Sequence, residues 1–214
     1  WMVDGGVRCW GENGRGQLGD GTTTDRASPV GVAGLSDVVQ VVAGDAYSCA
    51  LDAGGTVRCW GGTTSKVLGA AGEEEEIREV APIPGLSRVG QLAGGSSHVC
   101  ALLEEGTVRC WGYNVFGQLG DGTTTNRSTP VTVTGLSGAA ALSTQFRSVC
   151  ARLTDRSVRC WGYGSQGQLG DGAHPRSGGA GRAAPRDRVA RRIHHAGDGD
   201  PGWRGVGHGG RAGD

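Results

Sequence analysis

The sequence predicts an all-β repeat architecture, and three observations predict it. The tetrapeptide Arg-Cys-Trp-Gly occurs four times, ending at Gly11, Gly61, Gly112 and Gly162. Its tryptophans, Trp10, Trp60, Trp111 and Trp161, are 50, 51 and 50 residues apart, the period of propeller blades or solenoid turns rather than of ordinary domains. Forty-three glycines among 214 residues, with only 36% hydrophobic residues, suit many short strands joined by tight turns and argue against helical bundles.

Aligned on the tryptophan, each unit runs through an apolar stretch, a turn, the Arg-Cys-Trp-Gly strand, a Gly-rich loop, then Pro-Val and Gly-Leu. Val38 to Ala43 reads as a first strand. Ser48 to Leu51 and Thr56 to Trp60 are β-prone and flank Asp52-Ala53-Gly54-Gly55, a strong hairpin signal. The hairpin recurs with Val99 to Leu103 and Thr107 to Trp111 across Glu104-Glu105-Gly106. It recurs again with Val149 to Leu153 and Ser157 to Trp161 across Thr154-Asp155-Arg156. A short following strand, such as Pro29 to Val32, completes about four strands per unit, the content of one propeller blade. So small a sheet cannot bury both faces alone, so Val, Leu and Ala positions must stack blade on blade.

The loop after the tryptophan is the most regular segment. Gly16-Gln17-Leu18-Gly19-Asp20-Gly21-Thr22-Thr23-Thr24 reappears as Gly117-Gln118-Leu119-Gly120-Asp121-Gly122-Thr123-Thr124-Thr125. The first half returns as Gly167-Gln168-Leu169-Gly170-Asp171-Gly172. The run Trp-Gly-x-Asn-x-x-Gly-Gln-Leu-Gly-Asp-Gly resembles the signature of the RCC1-like repeat family, named for the regulator of chromosome condensation. Asn13 and Asn114 match its Asn, and Gly164 departs from it. The resemblance covers residues 1–172 and implies a β-propeller, most often seven-bladed, of which this chain supplies three to four blades and lacks those needed to close the ring. Unit two departs: Gly61 to Gly69 keeps only the final Leu68-Gly69 and then runs into Glu73 to Glu76, a solvated loop or a docking patch for a basic partner.

The seven cysteines follow the repeat. Cys49 and Cys59, Cys100 and Cys110, and Cys150 and Cys160 are each ten residues apart across the expected hairpins. If Cys49 opposes Cys59, then Leu51 opposes Val57 and a three-residue loop closes the ribbon, so cross-strand disulfides are sterically allowed. The alternative is that each cysteine is a small buried strand residue. A zinc site is the weakest reading, because no blade brings a tight Cys-x-x-Cys knuckle or further ligands. Cys9 has no partner at the same spacing, which suggests that the chain begins within a hairpin.

Formal charge is zero, but residues 173–214 carry eight Arg against four Asp, leaving the repeat body at −4. An acidic body whose one lysine is Lys66 argues against a phosphate-binding surface, so no nucleic acid is expected there. No run approaches 18 apolar residues, so no membrane span is expected, and a secretion signal, if any, lies outside this chain. Residues 173–214 lose the repeat grammar and read as a disordered Gly/Arg/Ala/Pro-rich tail. A second reading is a shifted frame: back-translating His174 to Ala184 one nucleotide later permits a Thr-Pro-Val run close to Ser128 to Leu136. The Arg182 to Arg192 stretch invites nucleic acid or anionic surfaces but reads first as a solvated basic tail, and His194, His195 and His208 invite adventitious metal without the Cys or paired carboxylate that would complete a site.

No catalytic constellation emerges. His98 is the sole histidine of the repeat body, Tyr47 and Ser148 occupy its equivalent positions, and it reads as a satisfied strand or channel-lining residue. Gly16 to Gly21 lacks the Gly-Lys-Ser/Thr ending of a phosphate loop. Asp20 and Asp121 offer too few hard oxygens for calcium and read as turns. The repeated tryptophans read as packing rather than as sugar- or base-stacking platforms. With no catalytic, metal or cofactor residues assigned, the leading expectation is a noncatalytic protein-binding propeller for an unknown protein partner, in an extracellular or cell-envelope protein by disulfide logic, the alternative being cytoplasmic. The resemblance implies an alternative, guanine-nucleotide exchange on a small GTPase. A propeller hydrolase or lyase with central acids comes third.

Overall fold

The computed structural model describes residues 5–62 and 77–170; the irregular loop of unit two, with Glu73 to Glu76, and the tail with Asp171-Gly172 lie outside the described residues. Within them the chain is all β. Strands β1 (Arg8–Gly11) and β2 (Arg26–Gly31) form a two-stranded sheet. A four-stranded meander follows: β3 (Val38–Ala43), β4 (Tyr47–Asp52), β5 (Val57–Gly61) and β6 (Ile77–Pro82). It is repeated by β7 (Val89–Gly94), β8 (His98–Leu103), β9 (Val108–Gly112) and β10 (Arg127–Thr132). The last sheet holds β11 (Ala139–Gln145), β12 (Ser148–Leu153) and β13 (Val158–Gly162). These sheets are one partial blade, two full blades and one three-stranded blade, numbered I to IV below.

Hairpin registers follow the cysteine spacing. Cys49 faces Cys59, Cys100 faces Cys110 and Cys150 faces Cys160, each with Cα atoms 4.1 Å apart, and all three pairs are disulfide-bonded. Leu51 faces Val57 as expected. The Asp52 N–H donates to Thr56 O, which closes the three-residue loop, and Gly55 takes the left-handed position at φ 79°. One expectation needs correction. The strand placed at Pro29 to Val32 starts earlier, at Arg26, because Arg26 pairs with Gly11 through a bulge that the repeat grammar does not reveal.

Three apolar clusters are the three blade interfaces. Blades I and II bury Val7, Val38, Ala50 and Trp60 between them. Blades II and III bury Leu51, Val57, Val89, Leu92, Val99 and Trp111, with the Cys49–Cys59 bridge in the same layer. Blades III and IV bury Val108, Leu119, Val133, Leu142, Val149 and Leu153 beside Cys100–Cys110. Each fully buried Val or Leu contributes about 1.5–3 kcal/mol, so stacking rather than strand pairing dominates the energetics.

Each letter of the repeated tetrapeptide has a separate physical role. The cysteine ties the central hairpin. The glycine ends the strand at a bulge with φ of 110° at Gly61 and 107° at Gly112; a Cβ on Gly61 would lie 2.5 Å from Ala46 O. The arginine faces outward: Arg58 pairs with Asp52 at 2.9 Å, and Arg109 and Arg159 donate to Gly85 O and Gly135 O of the connectors. The tryptophan reaches the preceding blade.

Candidate binding face

Strand directions alternate within each blade, so two classes of connector share one end of the stack. These are the short turns β3–β4, β7–β8 and β11–β12, and the long Gly-rich loops. Main-chain hydrogen bonds join them: Gly62 N–H to Ala46 O, Tyr113 N–H to Ser97 O and Tyr163 N–H to Arg147 O, at 2.7–2.9 Å. This end is the rim of the stack.

The Gly-rich loops are built around an asparagine. Asn13, fully buried, shares its two Nδ2 hydrogens among Asp20 Oδ1, Thr22 O and Thr24 O and accepts from Leu18 N–H. Asn114 repeats the pattern with Asp121, Thr123 O, Thr125 O and Leu119 N–H. Asp20 and Asp121 also receive Arg26 Nε and Arg127 Nε at 2.7 and 3.0 Å. The hydroxyl of Thr22 and the Arg26 guanidinium hold the Asp20 carboxyl well below the usual carboxylate range. Asp121 is held low by the matching bonds from Thr123 and Arg127, which outweigh its burial. The recurrent Asp-Gly is therefore more than a turn signal: the aspartate closes the loop's polar network. In unit four Gly164 replaces the asparagine, and Leu169 folds into the space, 2.7 Å from where a Cβ would stand.

These loops latch the blades. Trp60 Nε1 donates to Gln17 O at 2.9 Å and Trp161 Nε1 to Gln118 O at 3.0 Å, in each case from one blade into the loop of the blade before. Gly19 permits the approach, since a Cβ there would sit 2.7 Å from Trp60 Nε1. Trp60 and Trp111 are fully buried, whereas Trp10 is 62% exposed because no described blade precedes it.

The three short turns bond to one another. Asp45 N–H donates to Ser96 O and Ser96 N–H to Phe146 O, both at 2.9 Å, so one backbone bond passes from blade to blade. Beneath lies an open recess of 390 Å³ lined by Gly44, Asp45, Gly95, Ser96, Thr144 and Phe146. Tyr47 donates its hydroxyl hydrogen among Gly95 O and His98 O at 2.7 and 2.8 Å, and burial, with Asp45 nearby, pushes its phenol far up. His98, at the equivalent place one blade on, is fully buried and has no hydrogen-bond partner at either ring nitrogen, and burial lowers it to about 4. It is a neutral packed imidazole rather than a satisfied strand histidine, which corrects the expectation. Imidazole is shorter than phenol, so it does not span to the next blade.

Two sets of residues have no counterpart in the sequence reading. Gln40 and Gln91 are clamps: Gln40 Nε2 donates to Leu92 O while its Oε1 accepts Leu92 N–H, and Gln91 does the same to Leu142, at 2.8–3.0 Å. Recurrence of Gln at these positions was the available signal, and Ala141 breaks it in blade IV. The second set is Phe116, Phe146 and Arg147. The Arg147 guanidinium lies 4.9 Å from the Phe116 ring centre and 4.6 Å from that of Phe146, and Phe116 meets Tyr163 edge-on at 4.9 Å.

Among the described residues no three His, Cys, Asp or Glu side chains are placed to hold a metal ion, and no helix is long and apolar enough to cross a membrane. Cys9 is a free, half-buried thiol raised by burial.

Two models of the regulator of chromosome condensation (RCC1) repeat match the chain, one over residues 4–51 and 105–151 and the other over 38–65 and 91–118. Over 132 residues, 60% of this chain and 30% of the relative, it is 30% identical to the ultraviolet-B receptor UVR8 of Arabidopsis thaliana. It is 36% identical over 131 residues, 59% of the chain, to 3% of the E3 ubiquitin-protein ligase HERC2 of Homo sapiens. Among solved structures it resembles Prp20p of Saccharomyces cerevisiae, described together with its binding to Gsp1p and histones. The TM-score is 0.67 and identity 26%, over 78% of this chain and 42% of that one. The chain thus spans less than half the length of these relatives.

Proposed function

Because the chain belongs to the regulator of chromosome condensation (RCC1) repeat family, we propose that it is a noncatalytic protein-binding scaffold, braced by disulfides and used in an exported or cell-envelope setting. One observation carries this reading: scaffold positions repeat from blade to blade while rim positions do not. The tryptophan latch, the asparagine hub and the central cystine recur. The turn positions Asp45, Ser96 and Phe146 correspond to one another yet share no chemistry, and neither do Arg15, Phe116 and Gln166. A rigid frame carrying variable loops at one end is the arrangement of a recognition surface. The paired cysteines support the oxidising compartment, since such bridges persist in secreted and envelope proteins.

Capture of partners from native-source extract by the oxidised chain, followed by crosslink mapping, tests the reading. Crosslinks at loops 113–119 and 145–148 are expected, and crosslinks confined to the opposite end contradict it. The family resemblance implies a second reading, guanine-nucleotide exchange on a small GTPase. A nucleotide-release assay separates them: accelerated release overturns the scaffold assignment.

A further inference from the structure

The cluster of Phe116, Phe146 and Arg147 is specific to the junction of blades III and IV. At the matching places blade II has Asp45 and Ala46, blade III has Ser96 and Ser97, and unit one has Arg15 in place of Phe116. Repeat architecture does not demand these residues. Val115, between two described blades, is 47% exposed, and Phe146, on the last described blade, is 56% exposed, so among the described residues the cluster presents apolar surface. Phe146 also holds φ at 52°, left-handed as are Asp37, Arg88 and Arg156 at other turns, a conformation that a bulky residue adopts at a cost of about 1–2 kcal/mol.

Arg147 is the electrostatic centre. Arg26, Arg58, Arg88 and Arg127 each have a carboxylate partner, but no carboxylate lies within ion-pairing distance of Arg147 among the described residues. The segments around it, 113–119, 145–148 and 163–169, contain no Asp, Glu or Lys. Its guanidinium is instead fixed between two aromatic rings, which removes conformational freedom and leaves the N–H fork without an acidic partner.

We propose that Phe116, Phe146 and Arg147 form the docking point for an acidic peptide segment of a protein partner. A partner carboxylate pairs with Arg147, and an adjacent apolar side chain lies on Phe146 and Val115. The inference rests on the scaffold reading and adds the surface and the partner's chemistry. Charge complementarity at Arg147 selects the occupant: although Asp45 lines the same recess as Phe146, the three segments around the guanidinium carry no acid, which favours a carboxylate flanked by apolar groups and disfavours a basic segment there.

A random twelve-residue peptide display library panned on the whole oxidised chain is the test, with binding of enriched peptides then measured by fluorescence anisotropy. Enriched peptides are expected to share an Asp or Glu beside an aromatic or aliphatic residue. Their affinity should fall tenfold or more for R147Q, and by a similar factor on wild-type protein when the peptide's acid becomes its amide, a comparison that needs no variant to fold. F146N, which tolerates the left-handed backbone, should weaken binding severalfold, and R156A should leave it unchanged. Enriched peptides that lack an acid, or that bind R147Q equally, overturn this assignment while leaving the scaffold reading standing. No enriched peptide overturns it too, as does self-association abolished by R147Q, which gives the face to a second copy, or preferred binding of an oligonucleotide probe over the peptides.

Discussion

The indole N–H of Trp60 donates to the main-chain oxygen of Gln17 at 2.9 Å, and the same oxygen accepts the Ser48 hydroxyl at 2.9 Å. One carbonyl of blade I thus receives two side chains of blade II, and Trp161 with Gln118 O repeats the first of these bonds between blades III and IV. Trp60→Phe keeps most of the buried area and removes the donor. It should destabilise the chain by about 1–2 kcal/mol, read as a lowered urea midpoint with unchanged m-value.

The central cystines close short loops within single hairpins, and both Cys49 and Cys59 are fully buried in the layer between blades II and III. The double substitution C49A/C59A should cost about 3 kcal/mol by loss of the cross-link, with a further small cavity term. Thermal unfolding measured with and without reductant checks this: the wild type should lose stability on reduction, and the variant should lose less.

Three equivalent hairpin loops end with Gly55, Gly106 and Arg156, at φ 79°, 83° and 68°. Arg156 is the one with a Cβ to accommodate in the left-handed region. Arg156→Gly should therefore stabilise the chain by about 1 kcal/mol, while Gly55→Arg or Gly106→Arg should destabilise it by at least as much. Differential scanning calorimetry of the three variants gives the sign directly.

Acidification should act in two stages. His98 is neutral in the folded chain with its value lowered to about 4, while the unfolded chain takes up a proton near the ordinary 6.5. Stability from this group is complete above pH 6.5 and is lost between 6.5 and about 4, a loss of about 3 kcal/mol. The carboxyls of Asp20, Asp52 and Asp121 are held below their ordinary value, so their contribution is present above pH 3.8 and is lost as pH falls further. Urea unfolding across this range should show both limbs, and His98→Tyr, which restores the residue type of Tyr47, should flatten only the upper one.

Asn114 and Asn13 each satisfy four groups of their loops, and Gly164 shows what the loop does without one. Asn114→Ala strands the buried Leu119 N–H and removes the donor to the part-buried Thr123 and Thr125 carbonyls, and should cost about 2–3 kcal/mol. Hydrogen exchange should show the loss concentrated in residues 113–126, with the hairpin of blade III still protected.

The blade hairpins were legible in the sequence because their logic is local. Ten-residue cysteine spacing, three-residue turns and alternating apolar positions together admit one register, and Cys49 opposite Cys59 with Leu51 opposite Val57 is that register. What was not legible joins different blades. Gln40 and Leu92 are 52 residues apart, and a surface-compatible glutamine gives no local sign that both ends of its amide bind a neighbouring strand. The Arg147 sandwich likewise draws on loops from two blades, so no single window of sequence contains it. His98 departs from the expectation of a satisfied histidine for a related reason: its missing partners are a property of the gap between blades III and IV, which the residue itself does not announce.

Nonreducing peptide mapping of the protein isolated from its native source, with free thiols alkylated before digestion, tests most directly the central claim of a disulfide-braced stack of blades working in an oxidising compartment. The account predicts three linked peptide pairs, Cys49 with Cys59, Cys100 with Cys110 and Cys150 with Cys160, and an alkylated Cys9. Alkylation of all seven cysteines, or bridges that join different blades, would contradict it.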